Sequence, residues 1–342
     1  MARIDIVGGG IAGLILAIAL KDSEHQVVLH EPLRGTDLTE ADTALGLWHP
    51  ALLALDRVGV GDAVRRFGTP ITEARMGTAD GRVLGRITGQ DVLLLGRVSL
   101  RDLLLDALPA RVSWDDSRVQ DVTALPGDLI VGADGARSVV RSTYWGNSAH
   151  PAHVTVVRGV LDEDRSTGIL EEFWGDGGVF GLTPLPAAVG APGPARTNWF
   201  AAFREHRFAS TEDALGHVRH LAAPFPQRVQ DAMRAAAPEQ TKVNGISVSP
   251  ATRSFVRGRA VLIGDAAHAM TPNGGHGATE AIQDGAVLGE FIGRWGLREG
   301  GARYGRRRVV LPQVIRLGSS VITQLALARG GAARARDLLA RR

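Results

Sequence analysis

The chain has 342 residues, which suits one large domain or two interlocked ones. Hydrophobic residues make up 44% and charged residues 22%, proportions of a globular protein rather than a disordered or fibrous one. A formal net charge of +3 is too small to point to nucleic acid, and the absence of cysteine excludes disulfides, thiolate metal sites and cysteine nucleophiles.

In chain order, Arg3 to Val7 reads as a short strand, followed by Gly8-Gly9-Gly10-Ile11-Ala12-Gly13 and an apolar helical run to Leu20. Gly8, Gly10 and Gly13 have the dinucleotide spacing: a tight turn, room for a pyrophosphate against the backbone, and close helix-to-strand packing. Val27 to His30 reads as a second strand ending on Glu31, at the distance expected for a carboxylate that holds an adenosine ribose. This fingerprint alone does not separate FAD from NAD. The run Ile11 to Leu20 is too short to span a bilayer and follows a glycine turn rather than a charged leader, so a cytoplasmic protein without stable membrane insertion is expected.

Asp80-Gly81 between Glu73–Met76 and Arg82–Ile87 is a hairpin signal. Leu129 to Gly132 predicts a buried strand that delivers Asp134 and Gly135 into a turn, with Arg137 and Arg141 four apart on the helix after it, suited to phosphate or to local acids. Strand-length runs follow at 154–160, 170–174, 178–183 and 198–203, with a Pro/Gly/Ala-rich loop at 186–194. Helices are predicted at 211–221 and 225–236, and a return strand at 243–248. The arginine-rich end, Arg303, Arg306 to Arg308 and 329–342, reads as a solvated helix face in preference to a contact with an anionic surface.

The stretch from Val261 to Asp284 carries the most information. An apolar strand, Ala260 to Ile263, turns through Gly264 onto Asp265, a carboxylate suited to ligand hydroxyls at a strand's carboxyl end. Pro272-Asn273-Gly274-Gly275-His276-Gly277 then brings backbone amides close to a ligand, and a helix from Ala278 to Ile292 points its free N–H groups at the same place.

This stretch resembles the second FAD fingerprint of the group A flavoprotein monooxygenases, the aromatic hydroxylases related to p-hydroxybenzoate hydroxylase. The match runs through Gly264, Asp265, Ala266, Ala267, His268, Pro272, Gly275, Gly277 and Asp284. Gly46 to Asp62 is similar to the family segment that passes beside the flavin, with His49-Pro50 where relatives commonly carry Pro-Asn. Arg97-Val98-Ser99-Leu100 matches the family's Arg-x-x-Leu helix start, and Asp134-Gly135 with Arg137-Ser138 matches its DG motif. The span between those two motifs is short for the family.

The resemblance implies an α/β fold in which a Rossmann-like (GR2-type) FAD-binding domain, residues 1–70, 96–150 and 246–300, is interleaved with a mixed-sheet α+β substrate domain, residues 71–95 and 151–245. Residues 301–342 form a C-terminal helical segment. FAD contacts are implied for Gly8, Gly10, Ile11, Ala12, Gly13, Glu31, Arg97, Asp134, Gly135, Gly264, Asp265, Gly275, Gly277 and Ala278. NADH or NADPH would reduce the flavin, and dioxygen would add at carbon 4a. One oxygen would then pass to an electron-rich aromatic or polyketide-like small molecule, in a monomer or homodimer. Pro272, through its carbonyl, is expected beside the oxygen; His49 first and His276 second are candidate bases for a phenolic substrate. A flavin-dependent halogenase is disfavoured, since Lys21 and Lys242 are the only lysines and the W-x-W-x-I-P segment is absent. A nicotinamide dehydrogenase accounts for Gly8 to Glu31 alone. A flavin-holding metabolite-binding protein without turnover is the remaining alternative.

Overall fold

The computed structural model describes residues 1–32, 41–190 and 193–339. Ala191 and Pro192 of the 186–194 loop, and the terminal Arg341 and Arg342, lie outside the described residues.

The chain opens with β1 (Arg3–Val7), α1 (Ile11–Ala19), β2 (Gln26–His30), β3 (Ala44–Trp48), α2 (His49–Val58) and α3 (Gly61–Phe67). It continues through β4 (Thr69–Thr78), β5 (Val83–Gly96), α4 (Arg97–Asp106), β6 (Ser113–Asp115), β7 (Leu129–Gly132) and α5 (Val139–Trp145). Next come β8 (His150–Leu161), β9 (Leu170–Trp174), β10 (Gly178–Leu185), β11 (Arg196–Arg204), α6 (Thr211–Leu221), α7 (Gln227–Ala235) and β12 (Thr241–Val248). The last part holds β13 (Val256–Arg257), β14 (Ala260–Leu262), α8 (Asp265–His268), α9 (Gly277–Arg308), α10 (Leu311–Ala326) and α11 (Gly331–Leu339).

Two sheets result. The first runs β13-β14-β7-β1-β2-β6, parallel apart from β13. Its central strands are mostly apolar, as parallel strands covered by helices must be: Ile4, Ile6, Ile130, Val131, Val261 and Leu262 are fully buried, and Asp5 of β1 is paired with His30 of β2 at 2.9 Å. The second runs β12-β8-β11-β10-β9-β4-β5-β3 and is antiparallel except between β4 and β9. One face of it packs on α6 and α7 through Phe173, Phe180, Trp199, Leu215 and Val229. The other face, with Val154, Val156, Val179 and Ala202, meets Ala326 and Leu327 at the end of α10.

The sequence places most elements within a residue or two, including β1, β9 and α6. It misses β3, because Ala44–Trp48 alternates over only five residues and its partner is the distant β5. That pairing puts 44–48 in the second sheet, although it lies among flavin-side segments in the chain. The helix after the 272–277 loop is also longer than expected. α9 runs 32 residues, broken at Gly296, where φ is 75° and ψ is 177°. Unbroken, Asp284 and Arg308 would stand roughly 36 Å apart at about 1.5 Å per residue; instead their side chains meet at 2.7 Å. The break therefore turns the second half of α9 back along the first.

Candidate functional site

The carboxyl ends of β2, β1, β7 and β14 are level, because Val7 is in register with both His30 and Gly132, and Gly132 with Leu262. Glu31, Gly8, Asp134 and Gly264 thus leave the sheet side by side. Gly8 has φ +109°, and a Cβ there would lie 2.3 Å from the Ala133 carbonyl oxygen, so only glycine fits where the first turn touches the third. Gly264 has φ +58°, and a Cβ on it would approach Ala12 Cβ to 3.0 Å. The three glycine-and-acid turns are therefore in mutual contact.

What they enclose is built to receive a ligand. α1 starts after Gly10, with no side-chain cap and no acid in its first turn, leaving its leading N–H groups free. α9 likewise starts at Gly277 with no side-chain cap. A Cβ added at Gly10, Gly135 or Gly277 would meet nothing within 4 Å, so these positions border open space. Nε of Arg97, Oδ1 of Asp134, Nε1 of Trp48 and Nδ1 of His276 are buried without a hydrogen-bond partner among the described residues. Each such group costs about 1–3 kcal/mol unless something pairs with it. The residues present fit FAD: free helix N-termini for a pyrophosphate, an arginine, and acids at strand ends. Glu31 accepts from the Gly9 N–H at 2.8 Å, and Asp134 accepts from Val139 N–H at 2.7 Å while burial pushes its carboxyl up. Asp265 is exposed at the first position of α8, with no side-chain partner among the described residues. Arg97 opens α4, whose first amides donate to Asp42 at 2.8 and 3.1 Å.

In the 272–277 loop the Gly275 N–H donates to the Pro272 carbonyl at 2.9 Å, which engages one lone pair of that oxygen. His276 stacks on Trp48 with ring centroids 4.7 Å apart and planes within 4°. Burial lowers its pKa below the usual histidine value, so the ring is neutral at pH 7. His49 does not join this group. Its side chain is 57% exposed, with Nδ1 2.7 Å from the equally exposed Asp91. As the first residue of α2, it turns outward while its neighbour Trp48 turns in.

Three arginines depart from expectation. Arg141 has no acidic partner among the described residues: its guanidinium donates to the carbonyls of Ala266, Ala267 and Pro250 at 3.0, 2.8 and 2.6 Å, binding α5 to α8. Burial lowers its pKa to about 10. Arg137 is exposed and precedes Ser138, the residue that caps α5, so the two do not share a helix. Arg308, read as part of a solvated face, is buried and donates to Asp284 at 2.7 Å and to Glu280 at 2.6 Å. Asp284 also accepts from His268 at 2.7 Å and from the Gly264 N–H at 2.9 Å. A four-residue buried network thus holds the backbone of the second fingerprint's turn. The sequence carried half of it, in GDAAH and the later aspartate; Arg308 has no local signal because the fold-back at Gly296 brings it in.

A family model described as an FAD binding domain matches residues 110–295, more than half of the chain. The aurachin C monooxygenase/isomerase of Stigmatella aurantiaca is 30% identical over 318 residues, covering 84% of this chain and 79% of that protein. The chain belongs to the group A flavoprotein monooxygenases. An FAD-dependent urate hydroxylase of Klebsiella pneumoniae is 27% identical over 320 residues, covering 83% of this chain and 79% of that one. Among solved structures, Klebsiella pneumoniae HpxO complexed with FAD and uric acid superposes with a TM-score of 0.84 at 21% identity, over 99% of this chain and 92% of that one.

This monooxygenase has a second-sheet face that continues away from the flavin turns. Leu170 packs with Trp48, Ile71 and Val92. Two and four residues on, Glu172 and Trp174 lie on the same side of β9. Glu172 is opposite Gly181 on β10, and the Phe200 ring fills the space a Cβ on Gly181 would take. The Trp174 indole is the one hydrogen-bond partner of the Glu172 carboxyl among the described residues, and burial pushes that carboxyl up. Ser319 and Thr323 of α10 close the other side, donating to the Asn273 carbonyl at 2.7 Å and to the Asn273 amide oxygen at 2.6 Å.

Proposed function

We propose that the protein is an NAD(P)H-dependent FAD monooxygenase that oxygenates an electron-rich aromatic or related small molecule held between the 272–277 loop and the Leu170–Trp174 face of the second sheet. The observation that carries this reading is the contact of three turns, at Gly8, Asp134 and Gly264, around open space bordered by unpaired buried donors and acceptors. Bound FAD would supply the redox chemistry, taking electrons from a nicotinamide and passing one oxygen of O2 to the substrate. Gly8, Gly10, Ile11, Ala12 and Gly13 would hold its pyrophosphate, with Glu31 on the ribose and Arg97, Asp134, Gly135 and Asp265 on the rest of its length. Gly275, Gly277 and Ala278 offer backbone amides at the positive end of α9.

The protein's own groups then have distinct tasks. The second lone pair of the Pro272 carbonyl orients a hydrogen-bond donor at the reacting face. His276, neutral at pH 7 and with Nδ1 unpaired, is the base placed to take a proton from a hydroxyl or N–H of the substrate. Glu172, with its carboxyl pushed up by burial, offers an O–H or an acceptor to a ring heteroatom. Relatives that act on ring systems of this kind, by their names, include the aurachin C enzyme, the urate hydroxylase and a 2-heptyl-3-hydroxy-4(1H)-quinolone synthase of Pseudomonas aeruginosa.

The test is to reconstitute the purified protein with FAD and follow NADH and NADPH oxidation with a panel of phenols, purines and quinolones. Consumption stimulated by one class, with a product 16 mass units heavier on about the scale of NAD(P)H consumed, is the expected result. FAD and ligand binding without any oxygenated product would defeat the reading.

A further inference from the structure

α10 presents an outward face that the flavin site does not use. Val310, Leu311, Val314, Leu317, Val321 and Leu325 are each between 51% and 65% exposed, and Ile322 is 39% exposed. At about 100° per residue they fall in one arc of the helix, and from first to last they extend roughly 23 Å. No acidic residue occurs between Leu311 and Ala326, and the one charged residue there, Arg316, is buried on the opposite side. Contiguous apolar surface of this size on a folded chain marks a contact site rather than ordinary solvent-facing surface. Exposed arginines flank it: Arg306 and Arg307 before it, Arg329 and Arg334 after it. Arg307, Arg329 and Arg334 have no acidic partner among the described residues.

We propose that this face of α10 is an interfacial docking surface for an anionic lipid bilayer, with the helix lying in the plane of the headgroups and its flanking arginines on lipid phosphates. Two features fix the mode. The helix has 16 residues, too few to span a bilayer core of about 30 Å. Its inner face is committed to protein: Ser319 and Thr323 hold Asn273, while Ala326 packs on the second sheet. The charge pattern chooses the occupant. Two copies of α10 paired about a two-fold axis would bring arginine-flanked ends against arginine-flanked ends, whereas anionic headgroups complement both ends at once. Because the inner face of the same helix borders the 272–277 loop, a bilayer on its outer face stands one helix diameter from the proposed substrate site. An apolar substrate dissolved in lipid would have the shorter path; this last step rests on the monooxygenase reading, and the docking itself does not.

The experiment is cosedimentation of the FAD-loaded protein with vesicles of phosphatidylcholine alone or with phosphatidylglycerol, at low and high salt. Leu317→Glu and Val321→Glu are compared with the unaltered chain, and sedimentation velocity is run without lipid. Both positions are outside the flavin and substrate machinery, so retained FAD and thermal midpoint certify the fold. The expected result is partition to anionic vesicles that falls roughly tenfold or more in either variant and on adding salt. Absence of partition to anionic vesicles overturns the proposal, as does binding indifferent to both substitutions. A dimer of the unaltered chain that dissociates in the variants also overturns it, by assigning the face to a second copy. Docking with no oxygenated product from any substrate leaves the surface standing and defeats the catalytic reading alone.

Discussion

Arg308 is the residue on which the second fingerprint rests. Burial alone would raise the Asp284 carboxyl, yet Arg308 and His268 outweigh it and hold that pKa below the ordinary value. A carboxyl with a folded pKa below its unfolded one of about 3.9 contributes stability above that pH and loses it as pH falls through the folded value. Arg308→Met leaves buried Glu280 without its arginine and Asp284 with His268 alone, and should cost about 3–5 kcal/mol. It should also remove the share of the acid limb that Asp284 contributes, since that carboxyl would then resist ionisation and the variant's deficit should shrink as pH falls. Urea midpoints at several pH values between 3 and 7 measure both effects; an unchanged acid limb would show that the ion network does not set it. His276 makes a prediction about rate. Its lowered pKa places the ascending limb of the pH–rate profile below 6.5. His276→Asn should abolish that limb while FAD content stays the same, and a variant with the same limb removes His276 from proton transfer.

Among elements, α10 and the 272–277 loop act as a pair. Thr323 and Ser319 hold Asn273 from outside, so Thr323→Val removes one hydrogen bond of about 1 kcal/mol while keeping shape. The loop should then become more protease-sensitive, and oxidation of NAD(P)H should be less tightly coupled to product. Coupling unchanged within error, with faster amide exchange also absent, would mean the loop does not depend on this contact. What the sequence disclosed at this scale divides cleanly by range. Gly8, Glu31, Asp134 and Gly264 were legible because each acts within a strand-turn-helix of about 30 residues. β3, Arg141 and Arg308 were not, because their partners are Leu93 or Leu95, Ala266 and Asp284, reached only through tertiary packing. His49 stands apart from the Trp48–His276 pair because one residue's shift along a strand-to-helix junction turns a side chain outward, and nothing in composition reports that turn.

At the scale of the molecule, the proposed function divides the labour between the two sheets: one brings level strand ends to the FAD turns, and the other would offer its face to whatever is oxidised. Their interleaving along the chain explains why the fold class could be read early while the substrate could not. The motifs are local, whereas the face around Glu172 and Phe200 takes one strand each from β9, β10 and β11 and is closed by a helix more than 100 residues downstream. Gly264→Ala tests the joint between the parts. The residue sits at φ +58°, with Ala12 Cβ already at the limit of approach, so the variant should lose FAD affinity by tenfold or more, about 1.4 kcal/mol per factor of ten. Fluorescence titration with FAD reads this directly, and wild-type affinity would mean the turn is not held as tightly as its contacts indicate.

The fold-back at Gly296 also bears on how the protein is made. The turn of Gly8 is synthesised well before its neighbours, since Ala12 gains Gly264, and that turn its latch Arg308, only after residue 308 has left the ribosome. A nascent chain stopped short of residue 308 should therefore release flavin that a chain extended past it retains, so that cofactor capture waits on the fold-back.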